Sequence, residues 1–333
     1  MTHRITLLAL EGCFASNLIG FIDLLYTANI VAVRAAPARK PVFEWTVLSL
    51  DGRAVRASNG CMLAVDGRIG RRRAGKVIVV PAFGSPQAGP LLEAVKRHEL
   101  LLPWLRAQHK AGATLAATCS GSFLLAESGV LDGKPATTSW WLAQAFAERY
   151  PKAKLDLAAM VTHGNRVVCS GAGMSHLDLA LHLIERFAGR DIARACARYT
   201  VLDDQRRSQA PFMILDHVHS YDPLITRAER WMKANLRRHI NVGQIAAQVA
   251  VSPRTLDRRF KQCTGDSPQI YLQKLRVEAG KALLENTRLR MSEVLERIGY
   301  GDESTFRRLF KRHTSLSPRD YRRRFGVMRA IRG

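Results

Sequence analysis

Long apolar stretches and paired cysteines are both missing from this 333-residue sequence. No apolar run comes near the roughly 18 residues that a membrane-spanning helix needs, and residues 1–10 lack the layout of a signal peptide. The six cysteines are scattered, without a CxxC pair or a Cys/His spacing typical of zinc. We therefore expect a cytoplasmic protein with reduced thiols and with no membrane partner, metal site or cofactor.

Acidic residues are scarce relative to basic ones. The chain has 28 Asp and Glu against 51 Lys and Arg, which leaves a formal net charge of +23. Residues 219–333 hold 25 basic and 11 acidic residues, a net charge of +14, whereas residues 1–218 hold 26 and 17. A dense basic surface attracts a polyanion, because each neutralised phosphate releases condensed counterions. Nucleic acid is the favoured partner, and an anionic membrane surface is the weaker alternative.

Hydrophobic patterning divides the chain into two parts. Stretches with helical spacing, such as 19–33 and 91–108, alternate with short apolar runs suited to strands at 5–10, 43–48, 77–80, 114–117 and 167–169. This alternation predicts a parallel α/β sheet covered on both faces. After the polar stretch 203–211 only short helices are predicted. We predict an α/β domain at 1–202, a linker at 203–219 and an all-α domain at 220–326.

An internal repeat with an offset of fifty residues is the most specific feature of the helical part. Each copy holds a short apolar helix, a turn and a second helix with an N-cap, which is Ser252 in the first copy and Asp302 in the second. This is the helix-turn-helix layout, predicted at about 242–262 and 292–312, whose second helix enters the DNA major groove. Eight residues of the first copy recur unchanged fifty positions later: Thr255, Arg258, Phe260, Lys261, Thr264, Ser267, Pro268 and Tyr271.

Polar residues near the start of each second helix are the candidates for DNA contact. Arginine suits base contact because its fork pairs with two acceptors of guanine, whereas phosphate contacts position the protein without reading sequence. Two solvated helical faces in an ordinary bundle are the alternative, which the duplication and the basic charge disfavour. The candidates for base contact are Arg254, Asp257, Arg258, Ser304, Arg307 and Arg308, and those for phosphate are Arg259, Lys261 and Lys311.

The segments SPRTLDRRFKQCTGDSPQIYLQ and DESTFRRLFKRHTSLSPRDYRRRF resemble the DNA-binding domain of AraC/XylS-type transcription regulators. The resemblance covers about residues 220–325. It implies a seven-helix domain in which a linker helix, at about 268–284, joins the two helix-turn-helix units. It also implies a homodimer that binds repeated sites in double-stranded DNA, as an activator that contacts RNA polymerase.

A cysteine lies in the sequence context of a nucleophile elbow. The strand-like run 114–117 leads into the small residues around Cys119 and Ser120, and a helical stretch opens at 123–125. A reactive cysteine is the functional interpretation. A small residue that caps a cavity is the alternative.

The segments VIVVPAF, AATCSGSFLLAESGVLDGKPATTSWW and VVCSGAGMSHLDLALHLIE resemble the PfpI/ThiJ branch of the class I glutamine amidotransferase-like fold, which is flavodoxin-like, over about residues 3–190. The sequence resembles in particular the GlxA-like regulators, which fuse this domain to an AraC-type reader. Related enzymes have a histidine where this chain has Ser139, and some have an acidic residue near Asn17. Because a cysteine nucleophile needs a base, and only His176 remains as a candidate, we predict no enzymatic activity.

A ligand site is expected at the carboxyl ends of the parallel strands, where open α/β sheets bind small molecules. Tryptophan faces attract ammonium groups, and some GlxA-like regulators sense arginine or quaternary amines, so an amine or amino acid is the expected effector. Alternatively, Trp140 and Trp141 anchor their helix in the core. The candidate ligand-binding residues are Asn17, Ser85, Cys119, Ser120, Ser139, Trp140 and His176.

The resulting hypothesis is a dimeric, ligand-controlled transcription regulator. The main alternative is a cysteine-dependent amidase or glyoxalase-like enzyme that uses Cys119. A redox sensor based on the same cysteine is a third possibility.

Overall fold

The computed structural model describes residues 2–36, 40–70, 74–204, 206–213, 222–264 and 266–326. The chain divides into two compact units between Gln209 and Ala210. The predicted linker, 203–219, lies partly outside the described residues. Its described residues up to Gln209 belong to the first unit, and those from Ala210 belong to the second.

A seven-stranded sheet lies at the centre of the first unit, as far as its described residues show. The strands, from one edge to the other, follow the order β10, β11, β7, β6, β1, β2, β5, and only the β10–β11 pair is antiparallel. Two small additional sheets pair β3 with β4 and β8 with β9. The strands are β1 His3–Leu8, β2 Phe43–Ser49, β3 Val55–Arg56, β4 Met62–Leu63, β5 Gly67–Arg68, β6 Val77–Val80, β7 Thr114–Thr118, β8 Pro135–Ala136, β9 Lys154–Leu155, β10 Val161–Gly164 and β11 Val167–Ser170.

The register of the central strands brings their carboxyl ends to one edge of the sheet. Val80 of β6 pairs with Ala117 of β7, and Thr118 of β7 pairs with Ser170 of β11. Every residue of these three strands is buried, because helices cover both faces of the sheet. The predicted parallel α/β fold is confirmed.

Seven α-helices surround the sheet in the described part of the first unit. The predicted helical stretch 91–108 forms two helices, and Pro103 lies in the first turn of the second, where its missing N–H breaks no helical hydrogen bond. The helices are α1 Ala15–Ala35, α2 Ala88–Arg97, α3 Leu101–Lys110, α4 Gly121–Glu127, α5 Ala143–Arg149, α6 His176–Ala188 and α7 Arg190–Tyr199, with short 3-10 turns at Trp140–Leu142 and Gly173–Ser175.

Helix α1 corrects the expectation that no segment approaches a membrane-spanning length. Its 21 residues include an 18-residue window of mean hydropathy 1.5, so by length and composition alone the helix could cross a membrane. The sequence reading missed it because Asn17, Asp23 and Asn29 interrupt the apolar run. Nine of its residues are buried, and the helix packs against β2, α6 and α7. About a third of the window is buried, so a large part of its apolar surface is exposed.

The second unit is helical throughout its described residues. A short 3-10 turn, Ala210–Phe212, precedes seven α-helices, as the family resemblance implied. The predicted linker helix forms one continuous element, α11. The helices are α8 Pro223–Ala234, α9 Val242–Gln248, α10 Pro253–Thr264, α11 Pro268–Asn286, α12 Met291–Ile298, α13 Glu303–Thr314 and α14 Pro318–Phe325.

The fifty-residue repeat forms two separate hydrophobic cores. In the first core the rings of Phe260 and Tyr271 lie 5.4 Å apart, and in the second the rings of Phe310 and Tyr321 lie 5.2 Å apart. Helix α11 contributes residues to both cores, so it links them as one rigid element about 27 Å long.

The turn of the second copy requires a glycine. Gly299 ends α12 with a positive φ of 71°, and a Cβ there would collide with the backbone of Leu236 and Arg237. In the first copy the left-handed residue is Ala250, at φ 58°. The two helix-turn-helix units therefore share their layout but differ in the details of their turns.

Candidate nucleic-acid interface and ligand site

Side-chain caps fix the first turn of each predicted recognition helix. Ser252 Oγ accepts a hydrogen bond from the backbone N–H of Thr255, at 3.2 Å, before Pro253 opens α10. Asp302 accepts from the backbone N–H groups of Ser304 and Thr305 at the start of α13. Hydrogen bonds from Thr305 and Ser304 hold the pKa of Asp302 well below its usual range. Both caps were predicted from the sequence, because an N-cap is a local signal.

Three exposed arginines among the predicted DNA-contact residues form no ion pair with a described residue. Arg254 and Arg258 on α10 make no hydrogen bond or ion pair with any described residue. Arg308 on α13 makes one long contact, 3.4 Å, with Thr305 Oγ1 of its own helix. Their guanidinium groups are thus available for an external partner.

The other predicted DNA-contact residues are more engaged within the domain. Two form exposed i,i+4 pairs, Lys261 with Asp257 at 2.8 Å and Arg307 with Glu303 at 2.6 Å. Such pairs are weak, and a phosphate can replace the carboxylate. Ser304 Oγ donates to the Asp302 carboxylate, and Lys311 is exposed.

Arg259 has a partner that the sequence reading did not foresee. Its guanidinium lies 2.5 Å from the carboxylate of Asp222, the residue that caps α8. Asp222 is largely buried, and its side chain also accepts from the backbone N–H of Leu224. Arg259 therefore links α10 to the start of α8, and the phosphate contact expected for it stays a prediction.

In the first unit, Cys119 adopts a strained backbone conformation between β7 and α4. Its φ is 54°, which L-residues rarely adopt, and its backbone carbonyl accepts from the hydroxyl groups of Ser122 and Thr138 at 2.7 and 3.1 Å. A Cβ at Gly121 would lie 2.6 Å from the carbonyl oxygen of Pro81, so only glycine fits there. This is the geometry of the predicted nucleophile elbow.

The sulfur of Cys119 faces a serine. Sγ lies 2.6 Å from Ser139 Oγ, and both side chains are buried. A serine hydroxyl cannot remove the thiol proton at neutral pH, so the nearest polar group to the sulfur is not a general base.

His176 is turned towards α1. Its Nδ1 lies 3.1 Å from Asn17 Nδ2, and its Nε2 is buried without a hydrogen-bond partner among the described residues, 3.0 Å from where a Cβ of Gly20 would lie. Burial lowers the pKa of His176 to about 4, so the ring is neutral at physiological pH. The only base that the sequence offered for Cys119 is thus occupied with α1.

Hydrogen bonds join these residues across the carboxyl ends of the strands. Asn17 Oδ1 accepts from the backbone N–H of Ala82, and Ser120 Oγ bonds both backbone polar groups of Phe83. The structure therefore brings together five of the seven predicted ligand-site residues in one buried polar cluster, which we call the elbow cluster: Asn17, Cys119, Ser120, Ser139 and His176.

The remaining two candidates serve other contacts. Ser85 Oγ accepts from the backbone N–H of Gln87 just before α2. Trp140 and Trp141 are half-buried and lie edge-to-face with ring centres 5.1 Å apart, and Trp141 also packs against the hydrophobic core. Sequence reasoning missed Gln209, whose side-chain amide donates to the carbonyl of Thr138, beside Ser139. No local pattern could reveal that contact, because the two residues are 71 positions apart.

Comparison with known proteins accounts for both units. Residues 20–186 match the DJ-1/PfpI family, and residues 245–324 match a helix-turn-helix domain. The regulator GbdR of Pseudomonas aeruginosa is 30% identical over 322 residues, which cover 96% of this chain and 84% of GbdR. The chain belongs to the AraC-type transcriptional regulators that carry a DJ-1/PfpI domain. It is a transcriptional regulator with a helix-turn-helix DNA-binding domain.

Other relatives agree with this assignment. The regulator GlxA of Rhizobium meliloti is 26% identical, with 92% of this chain and 94% of GlxA covered. The activator RhaS of Escherichia coli is 36% identical over 92 residues, which cover 28% of this chain and 33% of RhaS.

Solved structures support the fold of the first unit. Drosophila melanogaster DJ-1beta superposes with a TM-score of 0.50 at 20% identity, over 61% of this chain and 100% of that protein. A ThiJ/PfpI family protein from Pseudomonas syringae gives 0.51 at 17% identity, over 61% and 76%. At these identities the likeness shows the fold alone.

The exposed arginines give the first prediction. We expect Arg258→Ala and Arg308→Ala each to weaken binding to a cognate operator by about 1–3 kcal/mol and to relax base preference at one position, because each removes a guanidinium that is open to a base edge. Fluorescence anisotropy on an operator selected from random-sequence DNA measures this. Arg288→Ala, an exposed arginine of the same unit outside both recognition helices, is the matched control. Unchanged affinity and selectivity in both variants would contradict the assigned face.

Burial of neutral His176 gives a pH-dependent prediction. Since its pKa in the folded state, about 4, lies below the unfolded value of 6.5, its contribution to stability is present above pH 6.5 and is lost as the pH falls towards 4. We expect His176→Gln to be less stable than wild type at neutral pH, and this deficit to shrink by up to about 3 kcal/mol towards pH 4. Urea unfolding across this range measures the difference.

Comparing the variant with wild type removes an opposing effect. Burial raises the pKa of Asp178 to about 6, outweighing the nearby Arg206, and this stabilises both proteins as the pH falls. His239→Gln, at an exposed histidine, controls for the loss of an imidazole. If the difference in the free energy of unfolding between His176→Gln and wild type did not change with pH, the prediction would fail, because burial would not favour the neutral form of the His176 ring.

Proposed function

We propose that this protein is a homodimeric transcription activator whose DNA binding is controlled by a small amine or amino acid, held at the elbow cluster of a non-catalytic DJ-1/PfpI domain. The contact between Cys119 Sγ and Ser139 Oγ carries the proposal, because it preserves the elbow while offering the sulfur no base. A buried polar group costs stability when it has no hydrogen-bond partner, and His176 Nε2 is such a group among the described residues, so a ligand that pairs with it would be favoured.

The chemistry around Cys119 argues against an amidase or glyoxalase-like enzyme. A cysteine nucleophile needs a base within hydrogen-bond reach and a group that orients that base. Ser139 is not such a base, and both ring nitrogens of His176 lie beside α1 residues, Asn17 and Gly20. The side chain of Cys119 is also only 8% exposed, which disfavours a peroxide sensor because oxidation follows exposure.

The amine preference rests on the tryptophan pair. Trp140 and Trp141 follow Ser139 directly in the chain and are half-buried, and this adjacency supports an indole contact with a ligand at the elbow cluster. Ring faces attract cations more strongly when the site excludes water. Activator status is supported by the 92-residue likeness of this chain to RhaS, which is named an activator.

Helix α1 offers a surface for the dimer. Six of its exposed residues recur at alternating spacings of three and four, as in a coiled-coil seam, and four of these six are apolar or aromatic. The six are Ser16, Ile19, Asp23, Tyr26, Ile30 and Val33. Antiparallel pairing centred on Tyr26 would place Ile19 against Val33, and Ile22 against Ile30, of a second copy. Exposed apolar surface of this kind marks an interaction site, and this helix carries a single basic residue, Arg34. A lipid surface would favour more basic residues, so a second copy is the better occupant.

Disruption of the seam gives the third prediction. We expect Tyr26→Arg to weaken self-association at least about tenfold, because the pairing would bring two arginines together at its centre and lose the contact of two aromatic rings. Sedimentation equilibrium of the full chain measures this. Met62→Arg, which changes an exposed apolar residue of β4, is the control and should retain the wild-type mass. A monomeric wild type, or vesicle binding that Tyr26→Arg abolishes, would contradict the dimer assignment.

A ligand screen tests the regulatory part. We expect one of a panel of amines, amino acids and carboxylic acids to raise the melting temperature of the full chain, because a ligand at a hundredfold its Kd adds about 2.7 kcal/mol to stability. Trp140→Ala should abolish the shift if the indole holds the cation, whereas Trp104→Ala, at a tryptophan on α3, should keep it.

The same ligand must alter operator binding or transcription from a reporter promoter. A ligand changes a conformational equilibrium only if it binds the two states unequally. Turnover of an amide or 2-oxoaldehyde that Cys119→Ala abolishes would support the enzyme instead.

A further inference from the structure

Gln209 is a polar residue at the end of the first unit, yet it is only 3% exposed. Its side-chain Nε2 lies within hydrogen-bond distance of the carbonyls of Leu157 and Thr138, at 2.8 and 3.0 Å, and of Thr137 Oγ1 at 3.1 Å. Its Oε1 accepts from the backbone N–H of Ala172 at 3.1 Å. Both ends of this buried amide are therefore satisfied, by three segments of the first unit that are distant in sequence.

The first unit has a fitted place for this amide. A Cβ on Gly171 would lie 2.6 Å from Gln209 Oε1, so a glycine at 171 leaves the space that the amide fills. The backbone is held as well: Gln209 N–H donates to the carbonyl of Ala158, and Met160 N–H donates to that of Arg207. Residues 207–209 thus pair with 158–160 as a short antiparallel strand, with a bridge between Ser208 and Ala159.

Two of the segments that Gln209 joins, those of Thr138 and Ala172, lead into the elbow cluster. Thr138 Oγ1 donates to the carbonyl of Cys119, and the next residue, Ser139, contacts Cys119 Sγ. Ala172 precedes the turn Gly173–Ser175, which leads directly into His176. Any ligand that moves either segment must change the hydrogen bonds of the Gln209 amide.

The chain passes from Gln209 directly into the second unit. There the 3-10 turn Ala210–Phe212 packs against α13, the carbonyl of Pro211 lies 3.5 Å from the hydroxyl of Tyr321, and the ring of Phe212 lies 5.4 Å from that of Phe325. Residues on both sides of the division are thus held by their own units, and Gln209 is the last anchor on the sensing side.

We propose that Gln209 is the positioning residue that couples the ligand site to the DNA reader. In the structure its side-chain amide hydrogen-bonds to the carbonyl of Thr138 and to the N–H of Ala172, and so holds the end of the first unit in place. A ligand at the elbow cluster displaces one segment, the amide loses its partners, and residues 206–209 detach from 158–160. The chain between the two units lengthens, so two readers in a dimer reach operator half-sites at other spacings. This inference rests on the proposed function: it describes how binding of the proposed ligand would change DNA binding.

The proposed coupling can be tested without a ligand, because coupling is reciprocal. A change that releases residues 207–209 must also make the elbow cluster more accessible. Gln209→Ala removes the amide, and Gly171→Ala keeps the amide but fills the space of its Oε1. Two rates are measured on the folded full chain by mass spectrometry. One is tryptic cleavage after Arg206 and Arg207, and the other is alkylation of Cys119 by iodoacetamide.

We expect both variants to raise both rates about tenfold, the effect of losing the hydrogen bonds of one buried amide. Ser208→Ala is the matched control. It removes the neighbouring hydroxyl, which donates to the carbonyl of Ala158, and leaves the amide in place, so both rates should remain near those of wild type. Circular dichroism under the assay conditions verifies that each variant is folded.

Two results would overturn the inference. Unchanged rates in folded Gln209→Ala would show that the amide holds neither segment, and faster linker cleavage with unchanged Cys119 alkylation would show an anchor without coupling. Failure of the proposed function is a separate outcome: no amine, amino acid or acid stabilises the protein, whatever these two rates show. If a ligand is found, Gln209→Ala should still bind it but lose its effect on operator binding.

Discussion

The parallel register of three buried strands is the constraint on which the first unit depends. Because Val80 pairs with Ala117, and Thr118 with Ser170, the chain leaves β6, β7 and β11 at one edge of the sheet. The positions of three features around the elbow cluster follow from where these strands end: the Ala82 and Phe83 backbone, the strained Cys119, and the glycine-containing turn before His176. The helices contribute the remaining groups, since Asn17 of α1 closes the hydrogen-bond network from above the strands.

The second unit depends on a different constraint, the spacing of its two recognition helices. Two recognition helices must keep a fixed spacing while each remains well packed. Helix α11 provides the spacing because it belongs to both hydrophobic cores, and each core has its own Phe–Tyr pair. Arg259 adds a tie from α10 to α8 through Asp222. The exposed Arg254, Arg258 and Arg308 are therefore presented by a scaffold that needs none of them for its own stability.

Local signals in the sequence predicted most of the fold and part of the site. Strand runs, the fifty-residue repeat and the caps Ser252 and Asp302 are readable because each depends on neighbours within a few positions. Contacts between distant positions were not readable: the side chain of His176 turns towards Gly20, 156 residues away in the sequence, and Gln209 reaches Thr138. The edge strand β10 and the apolar length of α1 were missed for related reasons, since short edges carry little pattern and scattered polar residues hid the helix.

Separate cores in the two halves of the reader have an evolutionary consequence. A substitution beneath one recognition helix perturbs one Phe–Tyr pair and leaves the other intact, so the two halves can diverge at different rates. One half can keep its base preference while the recognition helix of the other half changes, because α11 keeps the two recognition helices at the same spacing. The two turns already differ in this way: the left-handed residue is Gly299 in the second copy and Ala250, one position later in the repeat, in the first.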